Sequence, residues 1–371
     1  MIRGDIYKQK MRLCFFGAYD PEYPRNTVIK KGLRLNGVGV SECWLPPKYK
    51  FWLRYPLLAS RYLSSYTRHN VFFVPEFCQK DVPLVKILSL FSSKKIIFDP
   101  LAGRFETKII DWKRNPLNSW QARLNFKIDY WAFKLSDLIL ADTQAHKDYF
   151  CKKYGLPSKK VEVLPVGFDD DLFRPSAVAE KENRFTVLFF GSFLPLHGVN
   201  CILEAANIIS GKEPSVQFKL VGSGQTLLPA KDLASKLGLS NVTFEGWLPM
   251  NELPNRIASS DICLGIFGRT EKARRVVPHK IFQAMGMRKP VITGLTPAVE
   301  EFFSHRENIF LIQESDPDLL AQAILELKRD EDLREEIAER GYKLVSQKFS
   351  PEAIGRILIK ILEKNFIIRG G

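Results

Sequence analysis

The sequence predicts an α/β protein made of two Rossmann-like, doubly wound parallel-sheet domains. Three observations predict it. The chain has 371 residues, enough for two domains of ordinary size. Its second half alternates short apolar runs with helical patterns, which implies a parallel sheet with helices on both faces. Its first half opens with an apolar run, a turn-rich loop, a helix pattern and a second apolar run, a β–loop–α–β unit.

Composition narrows the class. A hydrophobic fraction of 45% and a charged fraction of 26% suit a folded globular chain. No apolar run reaches the length of a membrane-crossing helix, and the polar start MIRGDIYKQK does not read as a signal peptide. The six cysteines are scattered without metal-ligand spacing, as expected of reduced structural thiols in a cytoplasmic protein. The net charge of +14 is unevenly spread. Residues 1–185 hold 32 Lys and Arg against 19 Asp and Glu, whereas residues 186–371 hold 23 against 22. A basic half of this kind suits nucleic acid or an anionic membrane surface. No helix-turn-helix, zinc-finger or RNA-binding signature is present. Aromatic residues interleave with cations in Lys48–Arg54 and at Arg61–Tyr62. The expected partner is therefore the membrane surface, where each cation contributes roughly 1 kcal/mol, and not nucleic acid.

In order, Met11 to Gly17 reads as a first buried strand. A loop follows, then a helix from about Thr27 to Asn36 and a strand from Val38 to Cys43. A helical, aromatic segment spans about 51–66. Strands are expected at 71–75 and 96–99, and Asp99 closes the second of these, at the edge where α/β sheets bind ligands. Its other reading is a turn or N-cap carboxylate. An amphipathic helix at 119–135, a strand at 138–141, a helix at 144–153 capped by Asp142–Thr143 and a strand at 161–164 complete the first half. Asp169 and Asp171 form a D-x-D in a linker context and read as a solvated turn. In the second half, strands are expected at 186–190, 216–221, 242–244, 262–267, 291–293 and 309–312. Helices are expected at about 199–209, 226–237, 251–258, 280–287 and 318–328. Asp261 turns the chain into a strand, and a last amphipathic helix covers 350–366.

The most informative stretch is 262–301. A buried strand leads into a loop carrying Arg269, Lys272, Arg274 and Arg275. Pro278 closes the loop, and a short helix starts at His279 or Lys280. A helix N-terminus carries free N–H groups and about half a positive charge, so Lys280 and the upstream cations suit a bound phosphate. The rival reading is a solvated basic loop. Glycines recur at strand ends (Gly191, Gly222, Gly224, Gly246, Gly265), where a bare backbone lets a ligand approach. Neither half has G-x-G-x-x-G after its first strand, which sets a hydride-transferring dehydrogenase aside.

The string PHKIFQAMGMRKPVIT resembles the donor-site signature of the retaining GT-B glycosyltransferases of family four, the group 1 glycosyltransferases. YDPEYPRNTVIKKGLRLNGVGVSE resembles the opening of a subgroup of that family. LPVGFDDDLFRP, FFGSFLPLHGVNCILEAA, FEGWLPMNELPNRIASSDICLGIF and TGLTPAVEEFF are similar to its linker and its donor loops. The resemblance covers almost the whole chain. It implies a GT-B fold, two domains facing across a cleft, with residues 1–178 on the acceptor side and residues 179–349 binding the donor. A C-terminal helix, 350–371, crosses back to complete the first domain. It also implies transfer of a sugar from a nucleotide-diphosphate sugar to a glycan or lipid-linked acceptor, with retention and without a metal. No cofactor is expected beyond the donor substrate. A peripheral place on the inner face of the cytoplasmic membrane follows for a lipid-linked acceptor.

By the same resemblance, Gly17, Gly191, Ser192, Gly222, Gly224, Glu245, Gly246, Trp247, His279, Gln283 and Glu301 surround the donor. Lys280, Arg274, Arg275 and His197 stabilise the leaving diphosphate, and Asp99 positions the acceptor. The family's Arg and Lys in the first donor loop are replaced by Ser192 and His197, so His197 reads as a phosphate donor or as a structural imidazole. Its paired glutamates are replaced by Arg275 and Gln283. That departure leaves a non-catalytic donor-binding subunit, or a nucleotide-sugar epimerase, as alternative functions.

Overall fold

A computed structural model describes residues 11–65, 68–175 and 184–366. The N-terminal decapeptide and the expected domain boundary at 178/179 lie outside them. The chain divides into two compact units. Unit 1 comprises residues 1–166 and 350–371, and unit 2 comprises residues 167–349.

Unit 1 runs β1 (Arg12–Gly17), α1 (Pro24–Leu35), β2 (Gly39–Trp44), α2 (Phe51–Ser64), β3 (Val71–Val74), α3 (Val82–Leu90), β4 (Lys95–Phe98), α4 (Trp120–Leu135), β5 (Leu138–Ala141), α5 (Gln144–Tyr154) and β6 (Val161–Val163). A single π-helical turn, Glu106–Asp111, precedes α4. The six strands pair in parallel in the order β2-β1-β3-β4-β5-β6. The strands β3 and β5 are buried throughout, as runs without alternation must be in a sheet covered on both faces. Helix α1 starts at Pro24 and not at Thr27, because proline fits a first turn whose N–H groups have no helical acceptor. Thr143 caps α5, accepting from the His146 N–H at 3.0 Å, and Gly155 ends that helix at φ +58°.

Unit 2 runs β7 (Thr186–Phe190), α6 (Val199–Ser210), β8 (Gln217–Val221), α7 (Leu227–Lys236), β9 (Val242–Glu245), α8 (Leu253–Ala258), β10 (Ile262–Leu264), α9 (His279–Gly286), β11 (Val291–Gly294), α10 (Pro297–Glu300), β12 (Phe310–Ile312), α11 (Pro317–Arg329) and α12 (Glu331–Lys348). Its parallel strands lie in the order β12-β11-β10-β7-β8-β9. The order reverses between β7 and β10, and open α/β sheets bind ligands beyond the carboxyl ends of strands at such a switch point. Phe189, Phe218, Ile202, Ile262 and Ile324 sit in its core. Asp261 turns the chain as expected, its carboxylate accepting from the Thr186 N–H at 2.8 Å. The strand expected at 262–267 stops at Leu264. Beyond it the Thr293 hydroxyl takes over the ladder, accepting from the Ile266 N–H and donating to the Ile266 carbonyl at 3.0 and 3.1 Å.

The last helix, α13 (Pro351–Asn365), belongs to unit 1 and packs on α1. Two glycines allow it. A Cβ on Gly32 would lie 2.0 Å from the Pro351 carbonyl oxygen, and one on Gly355 would lie 2.2 Å from the Gly32 carbonyl oxygen. The backbones therefore touch, and Asn36 Nδ2 bridges them by donating to the carbonyls of Gly32 and Glu352.

Candidate functional site

The switch point of unit 2 brings together three segments: the loop after β7, the loop after β10, and the first turn of α9. Gly191 ends β7 with φ +129°, and a Cβ there would lie 3.2 Å from both Cε and Nζ of Lys280. The positive φ favours glycine here, and a side chain would also crowd the lysine. Lys280 is 5% exposed. Its Nζ sits 3.8 Å over the centre of the Phe189 ring and has no hydrogen-bond partner. No side chain caps the start of α9, so the helix mouth beside Lys280 is also open to an acceptor. Burial pushes the Lys280 ammonium well below the usual lysine range.

His197 stands beside it. The ring packs edge-on against Phe189, and Nδ1 donates to the Ser192 carbonyl, which fixes the tautomer with Nε2 as the bare nitrogen. Burial first, then the cations Lys280 and Lys272, hold this imidazole well below its usual value. An anion placed against Gly191 would meet an ammonium, an imidazole and a helix N-terminus, and its charge would return a proton to each titratable partner. The loops after β7 and β10 are tied to each other: Phe267 N–H donates to the His197 carbonyl and Gly268 N–H to the Leu196 carbonyl, both at 3.1 Å.

The remaining predicted residues fall into two groups. Ser192, His279 and Gln283 lie on the same loop and helix; the Gln283 amide is buried and contacts the Met250 sulfur at 3.8 Å. Arg274 and Arg275 occupy a 3-10 turn between β10 and α9 and are tied to acids. Arg275 bonds Glu271 at 3.2 Å, and Arg274 lies 3.9 Å from Glu314. Glu314 was not read from the sequence, since it follows β12 with no motif around it. It is buried beside these cations; burial lifts its carboxyl above the usual range, against the pull of Arg274 and Arg269. Gly246 and Trp247 are exposed after β9, and the Glu245 carboxylate pairs with Arg256 at 3.0 Å. Glu301 is exposed at the end of α10.

Three of the predicted glycines have a role within the chain, and the expectation for Asp99 is corrected. Gly222 and Gly224 leave room for the chain itself. A Cβ on Gly222 would fall 2.0 Å from the Gly191 carbonyl oxygen, and one on Gly224 2.6 Å from that of Phe193. Gly17 is likewise filled from within unit 1, by Cys78 Sγ at 2.8 Å from a built Cβ, while Asp81 accepts from the Ala18 N–H at 2.9 Å. Asp99 is not open at a sheet edge. It is fully buried and gripped by Arg25 through two hydrogen bonds of 2.6 and 2.8 Å. Burial raises its carboxyl and the guanidinium opposes the rise. The same Arg25 donates to the carbonyls of Leu164 and Pro165, so the pair locks α1 to the end of the first sheet.

Near that pair, His146 is buried between Asp142, at 2.6 Å from Nδ1, and Glu106, at 3.0 Å from Nε2. Burial alone would keep the ring neutral, but the two carboxylates override it and lift its pKa to about 9. The carboxylates of Asp169, Asp170 and Asp171 lie within 4.8 Å of one another in a surface turn, where the Asp171 N–H bonds the Asp169 side chain. All six cysteines are free thiols.

Several known proteins resemble this chain. Residues 172–344 match the family Glycosyl transferases group 1, and residues 98–172 match Glycosyltransferase Family 4. A GDP-mannose-dependent alpha-(1-6)-phosphatidylinositol monomannoside mannosyltransferase of Mycobacterium tuberculosis is 25% identical over 239 residues, 61% of this chain and 62% of that protein. The chain thus spans less than two thirds of the first curated relatives it matches. The alpha-D-kanosaminyltransferase of Streptomyces kanamyceticus is 23% identical over 74% of this chain and 68% of its own. Among solved structures, Anabaena HepE in complex with UDP-glucose superposes with a TM-score of 0.71 at 19% identity, covering 95% of this chain and 100% of that one. The sucrose-phosphate synthase of Thermosynechococcus elongatus gives 0.74 at 15% identity, covering 96% and 99%.

Proposed function

The chain belongs to the group 1 glycosyltransferases of the GT-B fold, and from that premise we propose that it moves a sugar from a nucleotide-diphosphate sugar to a glycan or lipid-linked acceptor. The transfer retains anomeric configuration and needs no metal. Residues 179–349 bind the donor, and residues 1–178 with the C-terminal helix take the acceptor. One observation carries the reading: the buried, unpartnered amine of Lys280 at the switch point of the second sheet. A desolvated ammonium without a partner costs the fold free energy, and a ligand anion is the partner that offsets it. The complexes of HepE with UDP and UDP-glucose support a nucleoside diphosphate sugar as the ligand class. The relative acting on a phosphatidylinositol mannoside supports a lipid-linked acceptor.

Breaking the anomeric bond leaves an oxocarbenium-like sugar and a diphosphate with an extra negative charge. Lys280 and the N–H groups at the mouth of α9 receive that charge. His197 adds a second donor once it is protonated at Nε2, and Arg274 and Arg275 supply longer-range attraction. Preorganised donors of this kind each lower a barrier by roughly 3–4 kcal/mol. Leaving phosphate and acceptor hydroxyl lie on the same face of the sugar, so the phosphate accepts the acceptor's proton. The basic first half supports a peripheral position on the inner face of the cytoplasmic membrane, where a lipid-linked acceptor would lie. No helix among the described residues is long and apolar enough to cross it.

Replacement of the family's acidic pair by Arg275 and Gln283 favours a second reading, a subunit that binds donor without turnover. Donor hydrolysis or transfer by the purified chain decides between them. A thermal-shift screen of sugar nucleotides identifies the donor, because a bound ligand raises the melting temperature by mass action. Lys280→Met then separates binding from folding. It is expected to lower transfer by about 10² or more and to abolish the donor-induced shift. The ligand-free protein should melt higher, by the equivalent of about 1–3 kcal/mol, since the unpaired amine is gone. A variant with normal turnover removes Lys280 from the mechanism.

A further inference from the structure

Residues 45–135 of unit 1 contain sixteen Lys and Arg and six Asp and Glu. The six acids are Glu76, Asp81, Asp99, Glu106, Asp111 and Asp129, and every one is buried, none more than 2% exposed. Arg25 holds Asp99, Arg54 holds Asp81, His146 holds Glu106, and the backbone of Arg104 and Phe105 holds Asp129. The surface contributed by this stretch therefore presents cations and no carboxylate.

The same surface presents large apolar side chains. The steps β2 to β3, β3 to β4 and β4 to β5 all run in one direction along the sheet, so right-handed crossovers lay α2, α3 and α4 on one face. Helix α4 packs on α3, and Arg54 and Tyr55 of α2 bond Asp81 and the Lys80 carbonyl at the start of α3. On α4, Trp120, Leu124, Lys127, Trp131 and Lys134 recur at helical spacing as one exposed stripe, with Arg123 beside it. Trp120 and Trp131 are 68% and 56% exposed. Trp52 and Leu53 on α2 and Phe91 at the end of α3 add apolar area, at 62%, 47% and 87% exposure. Exposed apolar area on this scale, interspersed with cations, marks an interaction surface. Tryptophan alternating with lysine and arginine on a helix face suits the boundary between headgroups and acyl chains.

We propose that the α2–α3–α4 layer docks on an anionic lipid bilayer, its cations meeting headgroup phosphates and Trp52, Trp120 and Trp131 seating at the interface. This deepens the peripheral reading given above and rests on it. A nucleic acid would accept the cations but has no use for aliphatic side chains such as Leu53 and Leu124, which a lipid interface buries.

The test is co-sedimentation of the full chain with vesicles of phosphatidylcholine alone and of phosphatidylcholine mixed with phosphatidylglycerol. Tryptophan quenching by brominated lipid is read in parallel. Binding is expected on the mixed vesicles only, weakening as salt rises, with quenching of the exposed indoles. Arg123→Glu with Lys127→Glu should weaken partitioning by more than roughly tenfold, since each headgroup-facing cation contributes about fivefold. Trp120→Ser with Trp131→Ser should abolish quenching of the α4 indoles. All four side chains are exposed, so the melting transition of unit 1 should be unchanged, which reports intact folding of the unit that carries them. Mixed-vesicle binding that ignores both variants overturns the docking face and leaves the peripheral reading standing. Failure to prefer mixed vesicles overturns both. Tighter binding to duplex DNA than to vesicles, indifferent to the tryptophan changes, assigns the face to nucleic acid and overturns the proposal.

Discussion

His146 shows how much one buried side chain can couple a fold to pH. Its pKa rises from 6.5 to about 9 in the folded chain because Asp142 and Glu106 outweigh burial. A folded-state value above the unfolded one means the stabilisation is complete below about pH 6.5 and disappears as pH rises through 9. Unit 1 should therefore melt progressively lower between neutral pH and pH 9.5, and His146→Gln should flatten that slope, as read by calorimetry. Lys280 works with the opposite sign in unit 2. Its folded-state value is lowered, so its protonation opposes folding and its penalty fades as pH rises. Measuring the slope in the Lys280→Met background removes that opposing contribution. At this scale the sequence was partly legible. Pro278, Lys280 and the helix start between them pointed to one segment of the proposed anion site; the packing of Lys280 on Phe189 and against Gly191, about ninety positions upstream, came only with the fold. Asp99 was misread, because the Arg25 that seals it lies 74 positions away and nothing local announces the pairing. Gly222 and Gly224 signalled close approach correctly, but sequence cannot say whether the approaching group is a ligand or a neighbouring loop.

Among elements, the α1–α13 crossing is the most demanding contact. Gly32 and Gly355 bring two backbones together where a Cβ would stand 2.0–2.2 Å from a carbonyl oxygen. Gly355→Ala should force the helices apart and cost about 1–3 kcal/mol or more, read as a lower denaturant midpoint. Gly211→Ala is the matched control: that glycine ends α6 at φ −79° with open space around it, so little change is expected. Amphipathic helices such as α13 and α11 were legible from their apolar stripes. Helix α3, VPLVKILSL, was not, since a short apolar run has no period that separates a helix from a strand. Helix α12 was missed for the converse reason. Its buried side is only Ile337, Ala338, Gly341 and Val345 in a largely charged segment.

At the scale of the whole molecule, two parallel sheets with different strand orders were legible as a class, because apolar strands alternate with helices along the chain. The membership of each unit depends on where one helix docks. Residues 167–349 form an uninterrupted segment, and they should fold and melt cooperatively when expressed alone. Residues 1–166 should not, because α1 would expose the surface that α13 covers; adding residues 350–371 as a separate peptide should restore the melt. A stable 1–166 fragment indifferent to that peptide would show that the crossing is dispensable.

The docking of α13 on α1 also sets an order of events at the ribosome. Val166 and Ser350 bracket the whole of unit 2. At synthesis rates of roughly 5–20 residues per second, the first-made unit waits on the order of 10–40 s for its closing helix. The later-made unit is complete as soon as Phe349 clears the exit tunnel. The half of the protein translated second is the half that can finish folding first, and until then the nascent first half is a natural client for a chaperone.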